Sequence, residues 1–418
     1  MNPRCAMPLR AIVCVVVGVL SVSAILGVFP AITLERAEAQ LPVDGNKSNL
    51  HPRGTTTNAR IQFEKKKTGH VAFLGGSITE MNGYRPLVCD MLTRRFPETK
   101  FSFTNAGIAS TCSTTGAFRL ATDVLEKGPV ELIFIEYAVN DDQDAHHARR
   151  ECIRGMEGII RHVRTHNPNA DIVITHFVNP AMLKTIEEGK VPLTIASHEE
   201  VARHYAISTV NLAGEVAQRI RAGTLTWERY GGVHPARPGN ELCAALIEEM
   251  LIAGWKEPLP ANATLTAHRM PEQPLDANSY GDGRFIDSNT AVPGKGWTLE
   301  TPDWKKIPGT WRDRFRELPM LCAAEAGAET TLEFSGNAIG AYIVAGPDAG
   351  IVETAIDGGP FTRTDLYHAY SRNLHYPRTV IFAADLKPGK HSLKMRIAGE
   401  KNKDSSGHAV RIIQFVAN

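Results

Sequence analysis

Cysteine is scarce and scattered in this chain, at 7 of 418 residues. If the N-terminal segment is removed, Cys89, Cys112, Cys152, Cys243 and Cys322 remain. An odd set without a Cys-x-x-Cys pair argues against a disulfide framework and against a zinc site. One disulfide is still possible, and the sequence does not choose its partners. His146-His147 has no carboxylate or third ligand at metal spacing, so neither a metal nor any other cofactor is expected. A surplus of charge is missing too: Lys+Arg 46 stand against Asp+Glu 45, a formal net charge of +1. Nothing electrostatic then recommends nucleic acid or an anionic membrane as a partner. The basic run Lys65-Lys66-Lys67 reads as solvated linker. There is no internal repeat and no low-complexity tract.

What is present begins with length, which suggests two or three domains and ample material for a core. The N-terminus has the order of a targeting segment. Arg4 and Arg10 precede the apolar stretch Ala11 to Phe29, and Ala37-Glu38-Ala39 forms a small-residue cleavage site before Gln40. The apolar stretch is also just long enough to span a bilayer, so an uncleaved anchor is the competing reading. The expectation is a signal peptide over 1–39, a secreted or periplasmic product, and no stable membrane association after cleavage.

A polar linker is expected over 40–68. From His70 to Trp255, apolar runs alternate with amphipathic stretches. Candidate strands are Val71–Leu74, Phe101–Thr104, Glu131–Ala138, Asp171–Val178 and Ile207–Leu212. Helical patterns fall at Pro86–Phe96, Gly116–Lys127, Ala148–His166, Ser197–Tyr205 and Asn240–Ala253. Such alternation predicts parallel βαβ units in a three-layer α/β/α domain, assigned to 69–256. A proline-rich linker follows over 257–272. Over 273–418, short β-type runs separated by Gly346-Pro347-Asp348, Asp357-Gly358-Gly359 and Pro388-Gly389 predict a separate, jelly-roll-like all-β sandwich.

The stretch Val71-Ala-Phe-Leu-Gly-Gly-Ser-Ile-Thr79 is the centre of the chemistry. An apolar strand runs into Gly75-Gly76, which permit a tight turn, and Ser77 is left at the carboxyl end of the strand. Ser77 is either a nucleophile or a helix N-cap. Three further blocks end on the same sheet edge: Asn105-Ala106-Gly107, Val139-Asn140-Asp141 and Gly231-Gly232-Val233-His234-Pro235. Together they suit acyl transfer, with Ser77 attacking and His234 taking the proton. The N–H groups of Ser77 and Gly107 and the Asn140 amide would receive the oxyanion. Taken singly, Asn140 is a plausible helix cap, Gly107 a turn residue and His234 a loop histidine.

These four blocks resemble the SGNH (GDSL-type) hydrolase superfamily, over roughly His70 to Trp255. The resemblance implies a flavodoxin-like fold, with Ser77 as nucleophile, His234 as base, and Gly107 and Asn140 in the oxyanion hole. The two-part layout is similar to secreted bacterial carbohydrate esterases with a C-terminal jelly-roll domain. The implied activity is a serine esterase removing small acyl groups, acetyl first, from an acylated carbohydrate or other small ester. The alternatives are a lipase or aryl esterase of the same superfamily, or a non-catalytic carbohydrate-binding protein with a decayed triad. Two positions depart from the family. Gly76 stands where the GDSL motif has Asp, and Gly231 stands where the triad Asp usually precedes His by three residues. Glu228 is the nearest acidic substitute, a backbone carbonyl or water being the others. Arg119 is open to a substrate contact or a salt bridge. Trp297, Trp304 and Trp311 are open to sugar stacking or to a structural staple.

Overall fold

The computed structural model describes residues 49–418; the expected signal peptide and the start of the expected linker lie outside the described residues. Six strands form the first sheet: β1 (Leu50–His51), β2 (Thr68–Gly75), β3 (Lys100–Gly107), β4 (Leu132–Glu136), β5 (Asp171–Thr175) and β6 (Ser208–Val210). Their order is β1-β6-β5-β4-β2-β3. All neighbours are parallel except β1, which runs antiparallel to β6. The inner strands β2, β4 and β5 are largely buried because both faces are covered, whereas edge strand β3 is mostly exposed. Ala72 and Leu74 pack under helices 113–123, 149–166 and 193–204. Val71 and Phe73 pack under helices 84–95, 180–187, 212–221 and 237–254. The expected three-layer α/β/α domain is therefore present. Part of the expected linker is built into it. Beyond β1, Ala59 and Phe63 are fully buried on a helix and π-helical turn spanning 57–66.

Helices 180–187 and 212–221 were not expected. The first carries a start signal, Asn179 capping Met182 N with Pro180 at the first helical position. In the second, Asn211 caps Gly214 N just where the β6 pattern stops.

Residues 255–283 form no long element but are strapped to the α/β layers. Arg60 Nη1 donates to Trp255 O and Glu257 O. His268 Nε2 lies 2.7 Å from Asp171 Oδ1, and Glu157 accepts the N–H groups of Leu275 and Asp276.

Beyond them two antiparallel sheets face each other. One contains strands 376–383, 339–345, 410–417, 320–323 and 298–300, with 284–287 also paired to 410–417. The other contains 362–365, 351–356, 389–397, 329–336 and 292–293. Alternation along 329–336 places Thr330, Leu332 and Phe334 inward and the residues between them outward. Leu332, Val352, Met395, Ile412 and Phe415 fill the space between the sheets.

The sandwich is not a tethered module. Met320, Tyr342, Val344 and Ile413 belong to the same continuous apolar cluster as Ala117, Phe118 and Leu120 of helix 113–123. Trp304 and Trp311 serve this packing, while Trp297 lies in the core between the two sheets. Trp297 and Trp304 are buried, and Trp304 stacks on Trp311 at 6.1 Å and donates Nε1–H to Arg316 O.

Candidate active site

All four sequence blocks end at the carboxyl edge of the parallel sheet. Ser77 opens the short helix 77–80, with Gly76 at its N-cap. Ser77 Oγ lies 2.7 Å from His234 Nε2. His234 is exposed in the loop between helices 227–230 and 237–254.

The glycines are dictated by close approach. A Cβ on Gly76 would lie 2.2 Å from Asn140 Oδ1, so Asn140 occupies the space that a side chain in the GDSL aspartate position would need. A Cβ on Gly107 would lie 2.2 Å from the backbone N of Glu80. Helix 77–80 therefore rests directly on the end of β3. Gly107 N–H donates to Asn105 Oδ1 at 3.0 Å, and Asn105 is an exposed side chain.

Asn140 is aimed by a chain of hydrogen bonds reaching the sandwich. Its Nδ2 donates to Asp144 Oδ2 at 2.7 Å. Tyr376 Oη, on strand 376–383, donates to Asp144 Oδ1 at 2.9 Å. Burial raises the Asp144 carboxyl, while bonds from Tyr376 and Asn140 pull the other way. The sandwich also clamps the loop after β3, through Arg312 to Ala109 O and Ser110 Oγ. Arg314 Nη2 lies 3.3 Å from Glu80 Oε1.

Sequence reasoning missed Glu136. At the end of β4 its Oε1 accepts from Gly76 N (2.9 Å), Thr79 N (3.2 Å) and Thr79 Oγ1 (2.8 Å). First-turn N–H groups have no intrahelical acceptor, and Glu136 supplies one beneath the Ser77 turn. Burial pushes its carboxyl up to about 7. The signal was available: a glutamate closing the apolar strand LIFIE has to be buried, and buried carboxylates need partners.

Arg119 is fully buried and contacts no open cleft. It donates to Gly75 O (3.1 Å), Tyr137 Oη (2.8 Å) and Asp123 Oδ2 (2.6 Å), bracing β2 just before the turn.

The third triad position holds nothing. Gly231 has φ +106°, and a Cβ there would lie 2.0 Å from Ala236 N. Glu228 is exposed on helix 227–230, ahead of the Gly231 turn. Among the described residues no side chain or carbonyl accepts from His234 Nδ1.

With this geometry in hand, comparison with known proteins is informative. Residues 73–242 match the GDSL-like Lipase/Acylhydrolase family. Over these residues the chain is similar to that family. Among solved structures, the chain is similar to a two-domain esterase (CEX) active on acetylated mannans, co-crystallized with mannopentaose. The match has 21% identity and a TM-score of 0.70, covering 88% of this chain and 96% of that one. A second structure described as a two-domain esterase (CEX) active on acetylated mannans matches at 21% identity and a TM-score of 0.69, covering 88% of this chain and 97% of that one. At this identity the likeness is one of fold, and it spans both the GDSL-like domain and the sandwich. No curated protein matches the sequence.

Proposed function

We propose that the chain is an exported serine esterase that removes acetyl groups from a polysaccharide. The observation carrying this reading is the 2.7 Å contact between Ser77 Oγ and His234 Nε2 at the carboxyl edge of the sheet. His234 Nε2 takes the Ser77 proton as Oγ attacks the ester carbonyl, and then returns it to the leaving sugar hydroxyl. Water repeats the sequence on the acyl-enzyme and releases acetate. The oxyanion is received by Ser77 N–H, by the Asn140 Nδ2 hydrogen not engaged by Asp144, and by Gly107 N–H. The last of these requires the exposed Asn105 side chain to swing aside. Each such donor is worth about 10²–10³ in rate.

The catalytic unit is a Ser–His dyad. His234 is exposed, so solvent accepts its Nδ1–H in place of the missing carboxylate. Acetylated carbohydrate as substrate is supported by the two-part fold shared with an esterase active on acetylated mannans. Export is supported by the N-terminal pattern alone. No cofactor enters the ester step.

The test is turnover of p-nitrophenyl acetate, a chain-length series of such esters, and acetate release from acetylated mannan and xylan. Preference for acetyl and release from polymer are expected. Preference for long acyl chains would point to a lipase. A properly folded chain with no turnover would leave a carbohydrate-binding protein.

A further inference from the structure

Beneath the interface between the GDSL-like domain and the sandwich lies a cavity of about 260 Å³, whose wall includes Cys112, Asp144, His147 and Tyr376. Behind it sits a cluster that the ester chemistry does not use. The donor atoms of Cys112, Asp141 and His147 all lie within 4.8 Å of one another. They come from separate places: Cys112 precedes helix 113–123, Asp141 lies in helix 138–143, and His147 follows that helix in a loop. The loop is folded back so that His147 N–H donates to Asp141 O at 2.8 Å. His146 takes φ +48° to make that turn.

We propose that Cys112, Asp141 and His147 bind one divalent d-block cation, with zinc the best fit. Two observations carry this. First, His147 Nδ1 is buried and has no hydrogen-bond partner. It lies 3.5 Å from Asp141 Oδ1. That is long for a hydrogen bond, but two tetrahedral zinc ligands with bonds of about 2.1 Å stand about 3.4 Å apart. Second, Asp141 is already held as ligating carboxylates are. Ser113 N and Oγ donate to its two oxygens at 2.8 and 2.7 Å, and His198 Nε2 lies 2.9 Å from Oδ2. Such outer partners fix a ligand's orientation. A second triple, Asp141 with Cys152 and His198, shares the same carboxylate. Its histidine already spends Nε2 on Asp141, so the cation belongs with His147. Thiolate, imidazole and carboxylate together select zinc over calcium or magnesium. The fourth position would open to the cavity and be filled by water. The cation would tie the start of helix 113–123 to the loop that follows Asn140, and would take no part in the Ser77 reaction.

The test is metal binding by the full chain, stripped with a chelator and freed of reductant before loading. Zinc is followed by competition with a chromophoric chelator, and cobalt(II) by its absorption. One equivalent should bind saturably, and cobalt should give a thiolate charge-transfer band. Cys112→Ser should abolish the band and weaken zinc by more than the 10–100-fold typical of losing an outer partner. Cys112 is buried, so its variant can fail to fold. His147→Gln, on the cavity wall, is the second variant and should weaken zinc similarly. Cys89→Ser, on helix 84–95, should change neither. Absence of saturable uptake, cobalt binding without a thiolate band, or unchanged zinc affinity in a folded His147→Gln protein would each overturn the proposal.

Discussion

Restoring the family's aspartate at position 231 looks like a repair, and the structure makes it a lesion. Gly231 adopts φ +106°, a region that costs an L-residue about 1–2 kcal/mol. A Cβ there would also lie 2.0 Å from Ala236 N and 2.7 Å from Ala236 Cα. These are backbone atoms that no rotamer change can move aside. Relief requires opening the turn that Ala236 N–H closes on Tyr230 O at 2.9 Å, forfeiting about 1 kcal/mol more. Gly231→Asp should therefore destabilise by about 3 kcal/mol. With an unfolding entropy of about 2.1 cal/mol/K per residue, this lowers Tm by about 4 °C if residues 49–418 unfold together. Gly232→Asp is the matched control. It has φ +84° but open space around a Cβ, so it should lose only the conformational part, about 1–2 kcal/mol. The assay is chemical denaturation of parent and both variants, with kcat/KM on p-nitrophenyl acetate alongside. Because the strained turn carries His234, Gly231→Asp should also lower kcat/KM rather than raise it. A variant of parental stability with a thousandfold gain in kcat/KM would refute both the steric argument and the dyad.

Ser77→Ala should abolish ester turnover while leaving Tm within about 2 °C of the parent, since a half-exposed turn hydroxyl contributes little to the fold; residual activity within tenfold would remove Ser77 as nucleophile. Tyr376→Phe should lower kcat about tenfold with KM unchanged, because it releases Asp144 and with it the Asn140 amide; a change confined to KM would assign Tyr376 to substrate binding instead. Glu136 has its carboxyl raised by burial from 4.5 to about 7. The native state therefore keeps a proton that the unfolded state gives up, and stability is lost as pH rises through that window, by about 1.4 kcal/mol per pH unit at the steepest. Glu136→Gln should flatten this slope in urea titrations at pH 5, 6, 7 and 8; parallel curves for parent and variant would refute the shift. Truncation after Pro260 should lose small-ester turnover as well as polymer activity, because it strips the apolar cover from Ala117, Phe118 and Leu120; a soluble fragment with turnover on p-nitrophenyl acetate would show that the GDSL-like domain stands alone.

Legibility followed the range of the interactions. The strand Val71–Leu74, its Gly-Gly-Ser turn and the order of the four blocks could be read directly. They depend on local periodicity and on backbone freedom, which adjacent residues encode. The short edges of the sandwich, such as 292–293 and 298–300, could not. Strands of two or three residues exist only through their partners across the sheet.

The same division runs through the site. Sequence alone put a serine, a glycine and an asparagine at one sheet edge, because parallel βαβ topology leaves the strand ends no other place. His234 instead follows a helix and reaches Ser77 only through the tertiary fold. Sequence also marked position 231 as lacking a carboxylate. Only tertiary structure decided why that carboxylate has no room, since the obstacle is the backbone of Ala236 across a turn closed in three dimensions. Likewise only packing brought Tyr376 to Asp144 across 232 residues. It also set His147 beside Cys112 and Asp141, where pattern spacing had found no third ligand. Contacts between distant segments are settled by how apolar faces such as helix 113–123 are covered, and no local pattern carries that information.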